Sequence, residues 1–149
     1  MTYLHLLSGR VKIALLLGCL LLLLAACGTS SSSQTSTAPS SFQTTLKTSD
    51  QKFLIRLNIT PNSFGENTFT VIVRNADGSN PTTPLNVRLQ NTMLEMNMGV
   101  DTINLQPNSK GQYSAQDYFD MGGSWEVDIN VQTPDQTLHT ASVRLVVAD

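Results

Sequence analysis

The chain has 149 residues, 40% of them hydrophobic and 13% charged, with 9 basic against 11 acidic side chains and a formal net charge of −2. That length suits one globular domain plus a targeting segment. No basic block interrupts the mild acidity, which excludes nucleic acid as a natural partner.

The chain begins with a targeting pattern. Arg10 and Lys12 precede the apolar run Ile13 to Ala26, which ends in small residues. A basic flank, a short apolar core and a small-residue end define a secretion signal over residues 1–26. The run is 14 residues long, short of the roughly 20 that span a bilayer. It closes on "LAAC", Leu24 to Cys27, which resembles the lipobox of bacterial lipoproteins. That resemblance implies that Cys27 becomes the first mature residue and carries the lipid. Two or three acyl chains, at about 0.8 kcal/mol per buried CH₂, would hold the protein at the extracytoplasmic face of the cell membrane.

Cys19 leaves with the signal and Cys27 is consumed by lipid, so no disulfide and no cysteine-based metal site remain. Loss of Arg10 and Lys12 takes the net charge to −4. Residues 27–41 then form a tether of Ser, Thr and Gly that lacks the apolar side chains needed to offset ordering entropy. As a flexible coil it reaches about 20 Å.

From residue 42 to residue 149 the apolar period is two, with no amphipathic helix. Phe53, Ile55, Leu57 and Ile59 mark one strand, and the turn "PNSFGEN" leads to a second carrying Phe69, Val71 and Val73. The "ADGSNPTTP" loop precedes Leu85, Val87 and Leu89, and the methionine stretch "NTMLEMNMGVD" continues that strand or begins the next. Ile103 and Leu105 mark a short strand, "QYSAQDYF" another, and Trp125, Val127, Ile129 and Val131 the cleanest alternation in the chain. Ala141, Val143, Leu145 and Val147 complete the set. Seven to eight strands in this span predict an all-β, immunoglobulin-like antiparallel β-sandwich, with Trp125 packed on aliphatics in place of the missing disulfide.

Three of the five methionines, Met93, Met96 and Met98, fall within one short stretch, and Met121 lies in the Gly-flanked turn before Trp125. Thioether sulfur is soft and uncharged, a ligand for copper(I) rather than for hard ions. On a strand Met96 and Met98 share a face, with Met93 on the other and Met121 within reach if the segments meet. The competing reading is that methionine fills gaps in an apolar interior. Leu94, Glu95 and Asn97 break a two-faced pattern, which predicts at least one exposed methionine.

His139, the only histidine of the mature chain, reads as a surface strand residue rather than a ligand. There is no G-x-S-x-G elbow. Asp117, Asp120, Glu126 and Asp128 read as ordinary charges on polar faces, so no enzyme is expected. "NADGSN" lacks the later glutamate of a calcium loop. Tyr113, Tyr118 and Trp125 read as core or rim aromatics.

The segments "GENTFTVIVRNADG", "NTMLEMNMG", "LQPNSKGQYSA" and "MGGSWEVDINV" resemble the YtkA-like domain, which also forms the soluble tail of CopD-type copper-resistance membrane proteins. The resemblance covers roughly residues 64–147 and rests on M-x-x-M-x-M-G followed by M-x-G-x-W. It implies an exported immunoglobulin-like sandwich with a part in copper handling, and a copper transporter or an oxidase-assembly protein as partner. The chain lacks the multi-pass membrane portion of the fused relatives and the histidines of copper(II) carriers. The alternative is an interaction module that docks on a membrane complex and binds no metal, its methionines serving as packing.

Overall fold

The computed structural model describes residues 41–109 and 111–149. The signal segment, Cys27 and the tether up to residue 40 lie outside the described residues. Eight strands follow one another: β1 Phe42–Lys47, β2 Phe53–Thr60, β3 Gly65–Asn75, β4 Asn86–Met93, β5 Val100–Ser109, β6 Gln112–Phe119, β7 Gly123–Gln132 and β8 Leu138–Val147. The described residues contain no helix.

Every strand pairs antiparallel with its neighbours in the order β1-β2-β3-β6-β5-β4-β7-β8. Strands β2-β3-β6-β5 and β4-β7-β8 reproduce the two sheets of a constant-type immunoglobulin domain, with β1 added at the edge. Strand β5 belongs to both layers. Its first half, Val100 to Leu105, pairs with β4, and from Gln106 it pairs with β6, with a register shift between Pro107 and Ser109. Proline supplies no ladder donor, so a bulge is the natural place for it.

Alternation sets which side chains point inward. Ile55, Leu57 and Ile59 of β2, Phe69, Val71 and Val73 of β3, Val87 and Leu89 of β4 and Val127, Ile129 and Val131 of β7 are all completely buried. Each contributes about 1.5–3 kcal/mol by leaving water, and a register slip of one residue would turn a whole strand inside out. That burial stabilises a fold with no cross-link in its interior.

Trp125 packs on an aromatic side chain, not only on aliphatics as the sequence suggested. Its ring lies 5.1 Å from Phe119, which lies 5.3 Å from Phe69. The two sheet edges meet at both ends of the molecule. Ser49 N donates to Thr140 O at 2.8 Å, and Phe64 N donates to Ala148 O at 2.6 Å, which makes the sandwich barrel-like.

Candidate functional site

Strand β4 ends at Met93, and Met96 and Met98 lie in the loop that follows, not on a strand with a shared face. The loop turns on itself: Met98 N donates to Met96 O at 3.1 Å, and Gly99 N donates to Asn97 Oδ1 at 3.3 Å. Gly99 closes it with φ +86, where a side chain is disfavoured.

Two hydrogen bonds fasten this loop to the start of β7. Leu94 N donates to Ser124 O at 2.9 Å, and Ser124 N donates to Glu95 Oε1 at 3.1 Å. Gly123, at φ +120, permits the close approach, since a Cβ there would stand 2.8 Å from Glu95 Oε2 and 3.2 Å from Met93 Cε. The turn bearing Met121 therefore adjoins the Met96–Met98 loop, and Trp125 Nε1 donates to Met121 O at 3.1 Å.

The four methionines divide by burial. Met93 is 5% exposed, cross-strand to Trp125 and part of the core, so the packing reading holds for it. Met96, Met98 and Met121 are 49%, 46% and 39% exposed. The expectation of at least one exposed methionine is met by three, on two adjoining loops at one end of the sandwich.

That end is unusual in composition. Of the nine exposed large hydrophobic residues, all but Leu138 sit there: Phe64, Leu94, Met96, Met98, Val100, Tyr118, Met121 and Val146. The carboxylates Glu66, Glu95, Asp101, Asp117, Asp120 and Asp149 stand among them. Arg144, on β8, is engaged on the outer face, where its Nε is 2.7 Å from Glu126 Oε2. Partial burial first, and then the charges of Asp117 and Asp120, push the Asp101 carboxyl above its ordinary range.

Beneath the rim, Asn91 stands on the same face as Asp101, its partner across the β4–β5 ladder. It is 1% exposed, and neither its Oδ1 nor its Nδ2 has a hydrogen-bond partner. Sequence reasoning missed Asn91, Asp101 and Phe64 as members of this end. Asn91 had a signal: it is the one polar residue in the inward series Val87, Leu89, Asn91, Met93.

His139 is a correction. It is 3% exposed, not a surface residue, and lies at the opposite end. Its Nδ1 donates to Asp50 Oδ2 at 2.5 Å, and its ring meets Phe53 edge-on at 5.0 Å. Hydrogen bonds from Thr48 and His139 lower the Asp50 carboxyl to about 2. Glu126 pairs with Arg144 and Asp128 accepts from Ser142, as expected of charges on an outer face. Tyr113 and Trp125 are buried and Tyr118 is exposed.

Among the described residues no group of three or more His, Cys, Asp or Glu side chains could hold a metal. Two depressions, of about 450 and 500 Å³, lie at the end away from the methionines, beside Pro84. Among the described residues, neither is lined by a carboxylate, histidine, lysine or arginine.

The chain matches the family described as YtkA-like over residues 45–130. No curated protein matches it, and no solved structure does.

Proposed function

The chain belongs to the YtkA-like family, whose match spans more than half of it, and on that footing we propose that it is an accessory binding module for copper(I). In this reading Cys27 is lipidated and the domain is held at the extracytoplasmic face of the membrane. Met96, Met98 and Met121 take up the ion as cargo and release it by ligand exchange to a copper transporter or an oxidase-assembly protein, with no bond-making chemistry.

The observation that carries the reading is the exposure of these three thioethers on two loops fastened together through Leu94, Glu95 and Ser124. Soft sulfur selects a soft monovalent ion. The surrounding carboxylates raise the local concentration of any cation without competing as soft ligands. An open rim rather than a pocket suits rapid exchange. Met93 takes no part, because removing it from the core would cost packing.

The test is an anaerobic copper(I) titration of the full chain against a competing chelator. Leucine at Met96, Met98 and Met121 together is expected to remove the site while the fold persists, since all three side chains are exposed. Unchanged copper(I) affinity in that triple variant overturns the proposal.

A further inference from the structure

The outer face of β1, β2 and β3 gathers cations that stand far apart in the sequence. Phe42 and Leu46 pack on the core, so alternation turns Thr45 and Lys47 of β1 outward, together with Leu54 and Arg56 of β2 and Ile72 and Arg74 of β3. Register sets these six in two neighbouring rows, Lys47–Leu54–Arg74 and Thr45–Arg56–Ile72. Arg56 is therefore the diagonal neighbour of both Lys47 and Arg74, at about 7–8 Å, within reach of long side chains.

Like charges set this close repel unless carboxylates stand between them. The other sheet has such a partner in place: Glu126 of β7 lies across the ladder from Arg144 of β8, and the two side chains meet. On the outer face of β1, β2 and β3 the only carboxylate among the described residues is Glu66, at the far end of β3 from Arg74. In the adjoining turns Asp50 is engaged with His139 and Asp77 with Ser79. Among the described residues Lys47, Arg56 and Arg74 form no ion pair.

The same rows enclose a hollow. Thr45, Leu54, Arg56, Ile72 and Arg74 line a depression of about 140 Å³, with the half-buried Leu54 and Ile72 as its apolar part. Arg74 Nη1 donates to Val73 O at 3.2 Å, which steadies the guanidinium and engages one of its five N–H donors. Apolar walls lower the local dielectric, so an anion held against them is bound more strongly than in open water.

The number of cations narrows the ligand. One guanidinium fork satisfies one carboxylate. Three cations around one small hollow match an anion with more charge, and a phosphate monoester carries about two charges and three acceptor oxygens. A hollow of this size holds one such group, not the track of them that a nucleic acid presents.

We propose that the hollow between Arg56 and Arg74 is a binding site for a phosphate monoester. The two guanidinium groups and the Thr45 hydroxyl donate to its oxygens, Lys47 supplies the third positive charge, and Leu54 and Ile72 receive the carbon side of the ester. The site shares no residue with the methionine end and does not depend on copper binding.

The experiment titrates the copper-free full chain, in a neutral detergent, with glycerol 3-phosphate and follows the arginine Nε–H signals by NMR. Those of Arg56 and Arg74 are expected to shift and saturate, while that of Arg88, on the other sheet, stays in place. Acetate at equal ionic strength is expected to bind about tenfold more weakly or worse. Arg56→Gln with Arg74→Gln should weaken phosphate binding at least about tenfold and Arg88→Gln should not, and raising salt from about 0.05 to about 0.3 M should weaken it in the parent. These side chains point away from the core, and the parent's own signals report on the site without any substitution. Dihexanoyl phosphatidic acid separates two sources of the same group: binding about tenfold tighter than glycerol 3-phosphate makes the ligand a lipid headgroup, and equal binding makes it a free ester. The absence of a saturable shift at Arg56 and Arg74 overturns the proposal, as does equal phosphate binding by the double glutamine variant. So does acetate binding as tight as that of phosphate, which would make this a face for acidic protein side chains.

Discussion

Asn91 faces the same side of the sheet as Asp101, directly across the ladder, yet its amide makes no hydrogen bond to it or to any other group. A buried polar group without a partner carries its full desolvation cost of about 1–3 kcal/mol. Asn91→Leu is therefore expected to stabilise the domain by about 1 kcal/mol, seen as a higher urea midpoint with an unchanged slope. Loss of stability would show that the amide has a partner in solution.

Met93 and Met96 share a side chain and a stretch of sequence but not an environment. Truncating Met93 opens a cavity beside Trp125 and Gly123, so Met93→Ala is expected to cost about 2–5 kcal/mol. Met96→Ala should stay within about 0.5 kcal/mol. Thermal melts of the two single variants measure the contrast, and equal effects would refute the division between core and rim.

Gly123→Ala places a methyl against Glu95 Oε2 and Met93 Cε at a φ that L-residues rarely adopt. Glu95 is exposed and can yield, but the backbone cannot, so the strain dominates at about 1–3 kcal/mol. The expected outcome is a lower melting temperature with loss of amide protection at Ser124, measured by hydrogen exchange.

The hydrogen bonds that Asp50 accepts, from Thr48 first and then from His139, set a pH dependence. The Asp50 carboxyl lies at about 2 when folded, below its ordinary 3.8. The folded state thus holds the proton less tightly than the unfolded chain. The stabilisation is present in full above the unfolded value and is lost as pH falls through the folded one. Urea unfolding should find Asp50→Asn less stable than the parent at pH 6, with the gap closing as pH approaches 2. A gap that stays constant across that range would rule out the linkage.

Periodicity made the architecture legible, because an inward face such as Phe53, Ile55, Leu57 and Ile59 is written directly in alternating residues. Family likeness was legible through M-x-x-M-x-M-G and M-x-G-x-W. What stayed hidden depends on contacts distant in sequence. His139 alternates like any strand residue, and only the approach of the β1–β2 turn, 89 positions away, covers it with Asp50. The methionines read as strand continuation because Met96 and Met98 keep the two-residue spacing of a strand face. The loop takes its form from hydrogen bonds to Ser124, about thirty residues on. Likewise Asp101, Asp117 and Phe64 come from three hairpins, and no local pattern announces that they share an end.

Both Phe42, where the described strands begin, and Asp149, which lies against Gly122, are at the methionine end. A reporter fused after Asp149 would therefore shade the thioethers and the carboxylates together, and a silent fusion could be mistaken for an inactive protein. Labels are better inserted at the opposite pole, at the Asp77–Gly78 bend or the Asp135–Gln136 bend, where they would leave this end uncovered.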